Sequence, residues 1–87
     1  KIFSEAYMNN LGYRLLHGNR IDEAISVLEL NAIAYPNSAN VYDSLGEAYA
    51  AGKAYQKAIR SYQRSLELDR TNANAVKMLR KLKGKDD

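Results

Sequence analysis

Two carboxylates, Asp43 and Glu47, come closest to a reactive pair, because they stand four positions apart. Residues at that spacing share one face of a helix, and paired carboxylates can transfer protons or begin a metal site. No histidine or third carboxylate joins them at helical spacing. We therefore expect a solvated acidic face first, contact with a basic segment of a partner second, and catalysis or metal binding last.

His17, Ser44 and the glycines form no catalytic pattern either. His17 is the only histidine, and without a nucleophile or carboxylate at a suitable spacing it fits a surface position at a helix C-terminus or a partner contact. Ser44 is not framed as Gly-x-Ser-x-Gly, and no phosphate-loop lysine follows Gly12 or Gly46. Cysteine is absent, which excludes thiolate ligands. We expect no catalytic residue, no metal and no cofactor in this segment.

The charge is too mild to predict binding to nucleic acid. The formal net charge is +3, and the basic run from Lys77 to Lys85 is followed by Asp86 and Asp87. Since cations are favoured at any helix C-terminus, we interpret the run as the solvated surface of a last helix. Tyrosines can stack on bases, but five of the seven fit packing or junction positions: Tyr7, Tyr35, Tyr42, Tyr49 and Tyr62.

The hydropathy pattern predicts neither a membrane span nor a compartment. No apolar run approaches the roughly 20 residues of a membrane helix. Hydrophobic residues make up 46% of the 87 positions, as in soluble globular proteins. Because the sequence begins with Lys1 rather than methionine, we expect a piece of a longer protein, whose targeting signals could lie elsewhere. The localisation is therefore left unassigned.

A period of 34 residues organises the chain. It relates Leu11 to Leu45, Gly12 to Gly46, Gly18 to Gly52, Ala24 to Ala58 and Ile25 to Ile59. Ser4, Ser38 and Asn72 follow the same spacing, and all three are residue types preferred at helix N-caps. Repetition at this period predicts stacked helical hairpins.

The repeated unit resembles the tetratricopeptide repeat, whose pattern is a large residue, then Leu-Gly, a Tyr, later Ala, a further large residue and Pro. The second copy reads Tyr42, Leu45-Gly46, Tyr49, Ala58 and Tyr62, with Arg70 in the place of Pro. The first copy reads Met8, Leu11-Gly12, Leu15, Ala24, Leu28 and Pro36. A third copy stops after one helix, where Arg80 replaces the glycine.

The resemblance implies an all-α fold, an α-α superhelix of two helix-turn-helix repeats and a C-terminal capping helix. We expect one domain over 1–87, with repeat 1 near 5–38, repeat 2 near 39–72 and the capping helix near 73–83. The sequence predicts helices near 5–17, 20–34, 39–51, 54–68 and 73–83. We expect Gly18-Asn19 to end the first helix through positive φ, and Pro36 to end the second. Small residues at Gly12, Gly46, Ala24 and Ala58 predict close helix packing.

Apolar stripes are predicted to face the core on two of these helices. The second helix is expected to bury Ile21, Ala24, Ile25, Leu28 and Ala32. The last helix is expected to bury Val76, Leu79 and Leu82 beneath a basic outer surface.

The resemblance also implies a function, binding a peptide or protein segment on a concave face lined by the first helix of each repeat. On that face we place Asn9, Asn10, Tyr13, His17, Asn40, Asp43, Ser44, Glu47 and Lys77. The Lys and Asn pattern with which some relatives clamp acidic chaperone tails is replaced here by Asn9, Tyr13, Ser44 and Glu47. A partner that ends in acidic residues is therefore disfavoured on this face.

A structural role is the alternative that the sequence leaves open. The chain could pack on a parent catalytic domain, or form a homodimer through an apolar N-terminal end that includes Ile2, Phe3 and Tyr7. The run YPNSANVYDSLGEAY over 35–49 resembles repeats appended to bacterial serine hydrolases of the β-lactamase-like or esterase type. That likeness implies a catalytic domain before Lys1.

Overall fold

The computed structural model describes residues 3–85, so Ile2, Asp86 and Asp87 lie outside the described residues. Within this range the chain folds into five helices and no strand: α1 (Glu5–His17), α2 (Ile21–Ala34), α3 (Ala39–Ala51), α4 (Tyr55–Leu68) and α5 (Ala73–Lys83). The all-α fold of two helical hairpins and a closing helix is confirmed. The observed helices differ from the predicted ones only at two starts, each one residue later.

The helices stack in chain order. The hairpin of α1 and α2 packs through α2 on α3, and the hairpin of α3 and α4 packs through α4 on α5. The first helices of the two hairpins, α1 and α3, also touch. This stacking places the same positions of successive hairpins side by side, as a solenoid of repeats does.

The three predicted N-caps begin α1, α3 and α5. The side-chain oxygen of Ser4 accepts from the backbone N–H of Tyr7 at 3.0 Å. Ser38 accepts from the N–H of Val41 at 3.2 Å, one period later. Asn72 accepts from the N–H of Ala75 at 3.1 Å. Each bond satisfies a donor that the first helical turn leaves without a partner.

The turn after each first helix differs from the prediction in one respect. Gly18 has a φ of −83°, and the left-handed residue is Asn19, with a φ of 63°. One period later Gly52 has a φ of −84° and Lys53 a φ of 62°. The expectation of positive φ was therefore wrong for Gly18 and right for Asn19, because the chain reverses one residue beyond the helix cap.

Small residues bring the two helices of each hairpin together, as predicted. A Cβ built on Gly12 would lie 2.6 Å from Cγ of Leu28, and one built on Gly46 would lie 2.8 Å from Cε2 of Tyr62. Both distances are shorter than carbon atoms tolerate, so a side chain at either position would push α1 from α2, or α3 from α4. Ala24 and Ala58 are fully buried.

The core lies mostly in the second hairpin and its neighbours. Buried apolar side chains from α2 to α5 form one cluster: Leu28, Ala32, Val41, Leu45, Ala48, Tyr49, Ala58, Ile59, Tyr62, Ala75 and Leu82. The predicted stripe on α2 is buried at Ala24, Leu28 and Ala32, but Ile21 and Ile25 are partly exposed. On α5, Leu82 is buried, while Val76 and Leu79 remain partly exposed because no helix covers their outer side within the described chain.

Candidate partner-binding surface

Tyr13 of α1 and Glu47 of α3 meet across the two hairpins. They stand one period apart, so the stacking of first helices brings them to the same level. The hydroxyl of Tyr13 donates to Oε1 of Glu47 at 2.9 Å. We call the surface that α1, α3 and α5 share at this level the inner face, defined by Asn9, Asn10, Tyr13, His17, Asn40, Asp43, Glu47, Asn74 and Lys77.

Tyr13 is held on the inner face as a neutral donor. Burial raises the pKa of the Tyr13 hydroxyl above its usual 10.0, and the hydrogen bond to Glu47 raises it further, while the nearby hydroxyl of Ser44 acts in the opposite direction. The exposed ring of His17 lies 5.9 Å from the ring of Tyr13, at a tilt of 40°. An aromatic pair with one fixed hydroxyl therefore forms one end of the inner face.

Asp43 is bound by two asparagines at the start of α5. Nδ2 of Asn72 donates to Oδ2 of Asp43 at 2.7 Å, and Nδ2 of Asn74 donates to Oδ1 at 3.0 Å. Asp43 and Glu47 are partly exposed, and each also accepts a hydrogen bond from a neighbouring helix or its cap, so the predicted acidic face is partly covered. Within residues 3–85, no three His, Asp or Glu side chains form a group that could hold a metal ion.

Ser44 does not present its hydroxyl to a partner. Its side chain is only 1% exposed, and the hydroxyl donates to the carbonyl oxygen of Asn40 at 3.0 Å. Its placement among the partner-contacting residues needs correction for this reason. The other predicted residues reach the surface: Asn10, His17, Asn40 and Lys77 are exposed, and Asn9, Tyr13, Asp43 and Glu47 are partly exposed.

Most residues of the repeat signature lie in the interior and not on the inner face. Ala24, Leu28, Leu45, Tyr49, Ala58 and Tyr62 belong to the core, Gly12 and Gly46 lie in the hairpin contacts, Leu11 and Tyr42 are partly buried, and Pro36 is exposed in a turn. The hydroxyl of Tyr49 donates to Glu29 of α2. Burial and this bond raise the pKa of Tyr49 to about 12, and burial raises that of Tyr62 as well.

The hydrogen bonds to Asp43 were missed at the sequence level. Asn72 was recognised only as a cap, and the capping role gives no indication that its amide also points back at α3. The Tyr13–Glu47 bond had a usable signal, since a hydroxyl and a carboxylate one period apart on first helices must lie side by side in a stacked array.

Comparison with known families agrees with this geometry. The family model of the tetratricopeptide repeat matches residues 39–72. The matched residues are similar to this repeat and comprise α3, α4 and the turn that leads to α5. Tetratricopeptide repeats generally mediate contacts between proteins. No curated protein matches the chain.

None of the helices between residues 3 and 85 is long and apolar enough to cross a membrane.

Proposed function

We propose that this chain is an interaction module that binds a peptide or protein segment on the inner face. The observation that carries the proposal is the Tyr13–Glu47 pair, a half-buried aromatic ring and a carboxylate held together at 2.9 Å on an otherwise exposed polar surface. A tyrosine with a fixed hydroxyl offers an apolar ring and a polar tip to a partner.

Exposed amides surround this pair and suit the backbone of an extended peptide. Asn10 and Asn40 project from α1 and α3, and each side-chain amide offers two donors and an acceptor. Lys77 adds a positive charge from α5. The inner face is built from only three helices, so we expect weak, micromolar rather than nanomolar affinity for a peptide.

Selection from a displayed peptide library, followed by variants of the inner face, tests the proposal. Tyr13→Ala combined with Glu47→Lys should weaken binding of a selected peptide at least tenfold, because it removes the ring and reverses the charge beside it. Arg14→Ala, which changes an exposed residue adjacent to Tyr13 in sequence, is the matched control and should bind as the wild type does. Circular dichroism should show equal helicity for all three proteins. Equal affinity of the double variant and the wild type would remove the inner face as the binding site.

We further propose how the chain is divided into repeats, and we propose that it carries no catalytic residue. One domain with repeat 1 over about 5–38, repeat 2 over about 39–72 and a capping helix over 73–83 accounts for the stacking. We assign no catalytic role to His17, because it is exposed and its ring neighbour is Tyr13. An attached serine hydrolase domain stays a prediction, which a Ser-x-x-Lys or Gly-x-Ser-x-Gly motif upstream of Lys1 would support.

Self-association through the N-terminal end is the second candidate, and a specific observation favours it. The exposed rings of Phe3 and Tyr7 stack with centroids 5.1 Å apart, at 53% and 48% exposure. Leu30 of α2 is a further exposed apolar side chain. Its equivalent in the second hairpin, one period later, is Arg64, which lies over Tyr42.

Exposed apolar side chains such as Phe3 and Tyr7 are expected to bind a second copy at high concentration. Sedimentation of the wild type and of a Phe3→Ser, Tyr7→Ser variant measures this directly. A concentration-dependent dimer that the variant loses is the expected result, and monomers of both at every concentration would contradict it.

A further inference from the structure

A second surface, which we call the outer groove, lies between α3 and α4. Six residues that define it are Tyr42, Leu45 and Tyr49 of α3 and Lys57, Arg60 and Arg64 of α4. The groove has a volume of about 260 Å³. On this side of α3, Tyr42 is partly exposed, whereas Leu45 and Tyr49 are buried beneath the groove at 5% and 9% exposure. None of the inner-face residues belongs to it.

Three cations line one wall of the outer groove. Lys57, Arg60 and Arg64 are exposed and stand three and four positions apart on α4, a spacing that places them on one helix face. Nζ of Lys57 lies 5.8 Å from the ring centre of Tyr49, and the guanidinium carbon of Arg64 lies 5.9 Å from that of Tyr42. Two of the three cations therefore lie close enough to a tyrosine ring for a cation–π interaction.

The nearby carboxylates do not neutralise this wall. Glu67 pairs with Arg64 at 3.1 Å, but both side chains are largely exposed, and a pair of this kind exchanges readily with solvent or a ligand. Glu29 of α2 accepts the hydroxyl of Tyr49 at the far edge. Among the described contacts, Arg60 has no ion-pair partner.

The first hairpin shows that the fold does not require these residues. One period before Lys57, Arg60 and Arg64 stand Glu23, Ser26 and Leu30. One period before Tyr42 and Tyr49 stand Met8 and Leu15. The same helical hairpin therefore forms with an acid, a neutral residue and aliphatic side chains at these five positions. Among the described residues, cations lie above tyrosines at these positions in the second hairpin and not in the first.

We propose that the outer groove binds an acidic, extended segment of a protein partner. Lys57 and Arg64 are seven steps apart on α4, about 10 Å at 1.5 Å per step, which matches about three steps of extended peptide at 3.3 Å each. Alternate side chains of such a segment point to opposite sides. Acidic side chains on one side meet Lys57, Arg60 and Arg64, and apolar side chains on the other rest on the partly exposed ring of Tyr42.

This site is independent of the function proposed for the inner face. An acidic partner was disfavoured on the inner face because the Lys and Asn residues that bind acidic chaperone tails in some relatives are replaced there. That argument does not apply to the cations of α4. A short protein segment also fits better than nucleic acid, because Glu29 and Glu67 flank a basic track of only three charges, whereas binding to a phosphate backbone uses a longer basic stripe.

Titration of the ¹⁵N-labelled chain with a seven-residue peptide of alternating glutamate and leucine tests the proposal. The largest amide shifts should fall on Tyr42, Tyr49, Lys57, Arg60 and Arg64, and binding should weaken as salt is raised. Lys57→Glu with Arg60→Glu should lower the affinity at least tenfold. Arg80→Glu with Lys83→Glu, an equal charge change at exposed positions of α5 outside both surfaces, is the matched control and should lower it less than twofold.

Further arms decide the class of ligand. A peptide with glutamine in place of glutamate should not bind, and inorganic phosphate at equal charge should shift the same amides only weakly. Tighter binding of a single-stranded oligonucleotide than of the acidic peptide would overturn the proposal in favour of nucleic acid. No peptide binding at millimolar concentration, or shifts confined to Tyr13, Asn40 and Glu47, would also overturn it while leaving the inner face to its own test.

Discussion

The two hairpins differ most in the polar contacts where each one meets the next helix. After the second hairpin, Nδ2 of Asn72 bonds both Oδ2 of Asp43 at 2.7 Å and Oγ of Ser65 at 2.9 Å. One period earlier the corresponding residues are Ser38, Asn9 and Asn31. There Oδ1 of Asn9 and Oδ1 of Asn31 are buried without a hydrogen-bond partner among the described residues. The shorter Ser38 side chain bonds Glu5 instead.

The repeat fold therefore tolerates buried side-chain oxygens without hydrogen bonds at the contact between one hairpin and the next helix. One feature is kept in both hairpins: the side chain of Asn31 donates to the carbonyl of Glu5 at 3.1 Å, and that of Ser65 donates to the carbonyl of Ala39 at 2.7 Å. The bond that ties each second helix to the start of its first helix is thus constant. The bridge to the next helix varies, because its loss costs only part of a small domain's stability.

Burial separates the hairpins as well. Gly12 is the only buried residue of α1, whereas α3 buries six residues between its neighbours: Val41, Ser44, Leu45, Gly46, Ala48 and Tyr49. A helix with one uncovered side can shift outward when its contact is disturbed, and a helix packed on both sides cannot. The first hairpin is therefore the less stable unit, and we expect it to open first.

Gly46→Ala should produce the largest difference between the hairpins. Its Cβ would meet the ring of Tyr62, which is 1% exposed and fixed between helices, so we expect a loss of about 1–3 kcal/mol in the free energy of unfolding. Gly12→Ala should lie at the low end of that range, because α1 can move away. Urea unfolding measures both variants.

Gly84→Ala serves as the control, since its Cβ would make only an ordinary contact of 3.8 Å. An equal or greater loss for Gly12→Ala than for Gly46→Ala would break the distinction between the two hairpins.

Exchange of the junction residues should give the second largest effect. Ser38→Asn keeps an N-cap residue and brings an amide toward the free oxygens of Asn9 and Asn31, so we expect a gain of about 1 kcal/mol in the free energy of unfolding. Asn72→Ser removes the bridge between Asp43 and Ser65, and we expect a loss of about 1–2 kcal/mol.

Ser4→Asn, at a cap with no such junction, should change the free energy of unfolding by less than either variant. A destabilised Ser38→Asn protein would show that the first junction is not limited by a missing donor.

Replacement of the left-handed residues should give the smallest effect. Lys53→Gly relieves a side chain at a φ of 62° and should stabilise the chain by about 1 kcal/mol. Asn19→Gly should gain less, because asparagine tolerates this region better than lysine. Thermal melting of the two variants under one set of conditions orders them, and an equal gain would mean that residue type does not matter in these turns.

The sequence predicts the helices well because their limits are local. Ser4, Ser38 and Asn72 mark starts through their own hydrogen bonds, and the period repeats the spacing of small residues at Gly12 and Gly46. Side-chain partners are harder to predict, because they depend on how far each helix rotates against the next. A small rotation decides that Ser44 is buried while Glu47, one turn later, reaches Tyr13.

The residue that reverses the chain after α1 shows a second limit. A glycine is the usual expectation at a left-handed position, yet Asn19 occupies it and Gly18 does not. The hydrogen bond from the N–H of Arg20 to the carbonyl of Leu15, at 2.8 Å, closes the turn around Asn19. Sequence alone does not show which of two adjacent permissive residues this bond will enclose.

Binding on the inner face is the central claim, and photo-crosslinking tests it most directly. Benzoylphenylalanine would replace exposed Asn10 of α1 in one protein, which keeps the Tyr13–Glu47 pair intact, and exposed Ile33 of α2 in another, each mixed with a library-selected peptide. The account predicts a peptide adduct at position 10 and none at position 33. An adduct at position 33 with none at position 10 would contradict it.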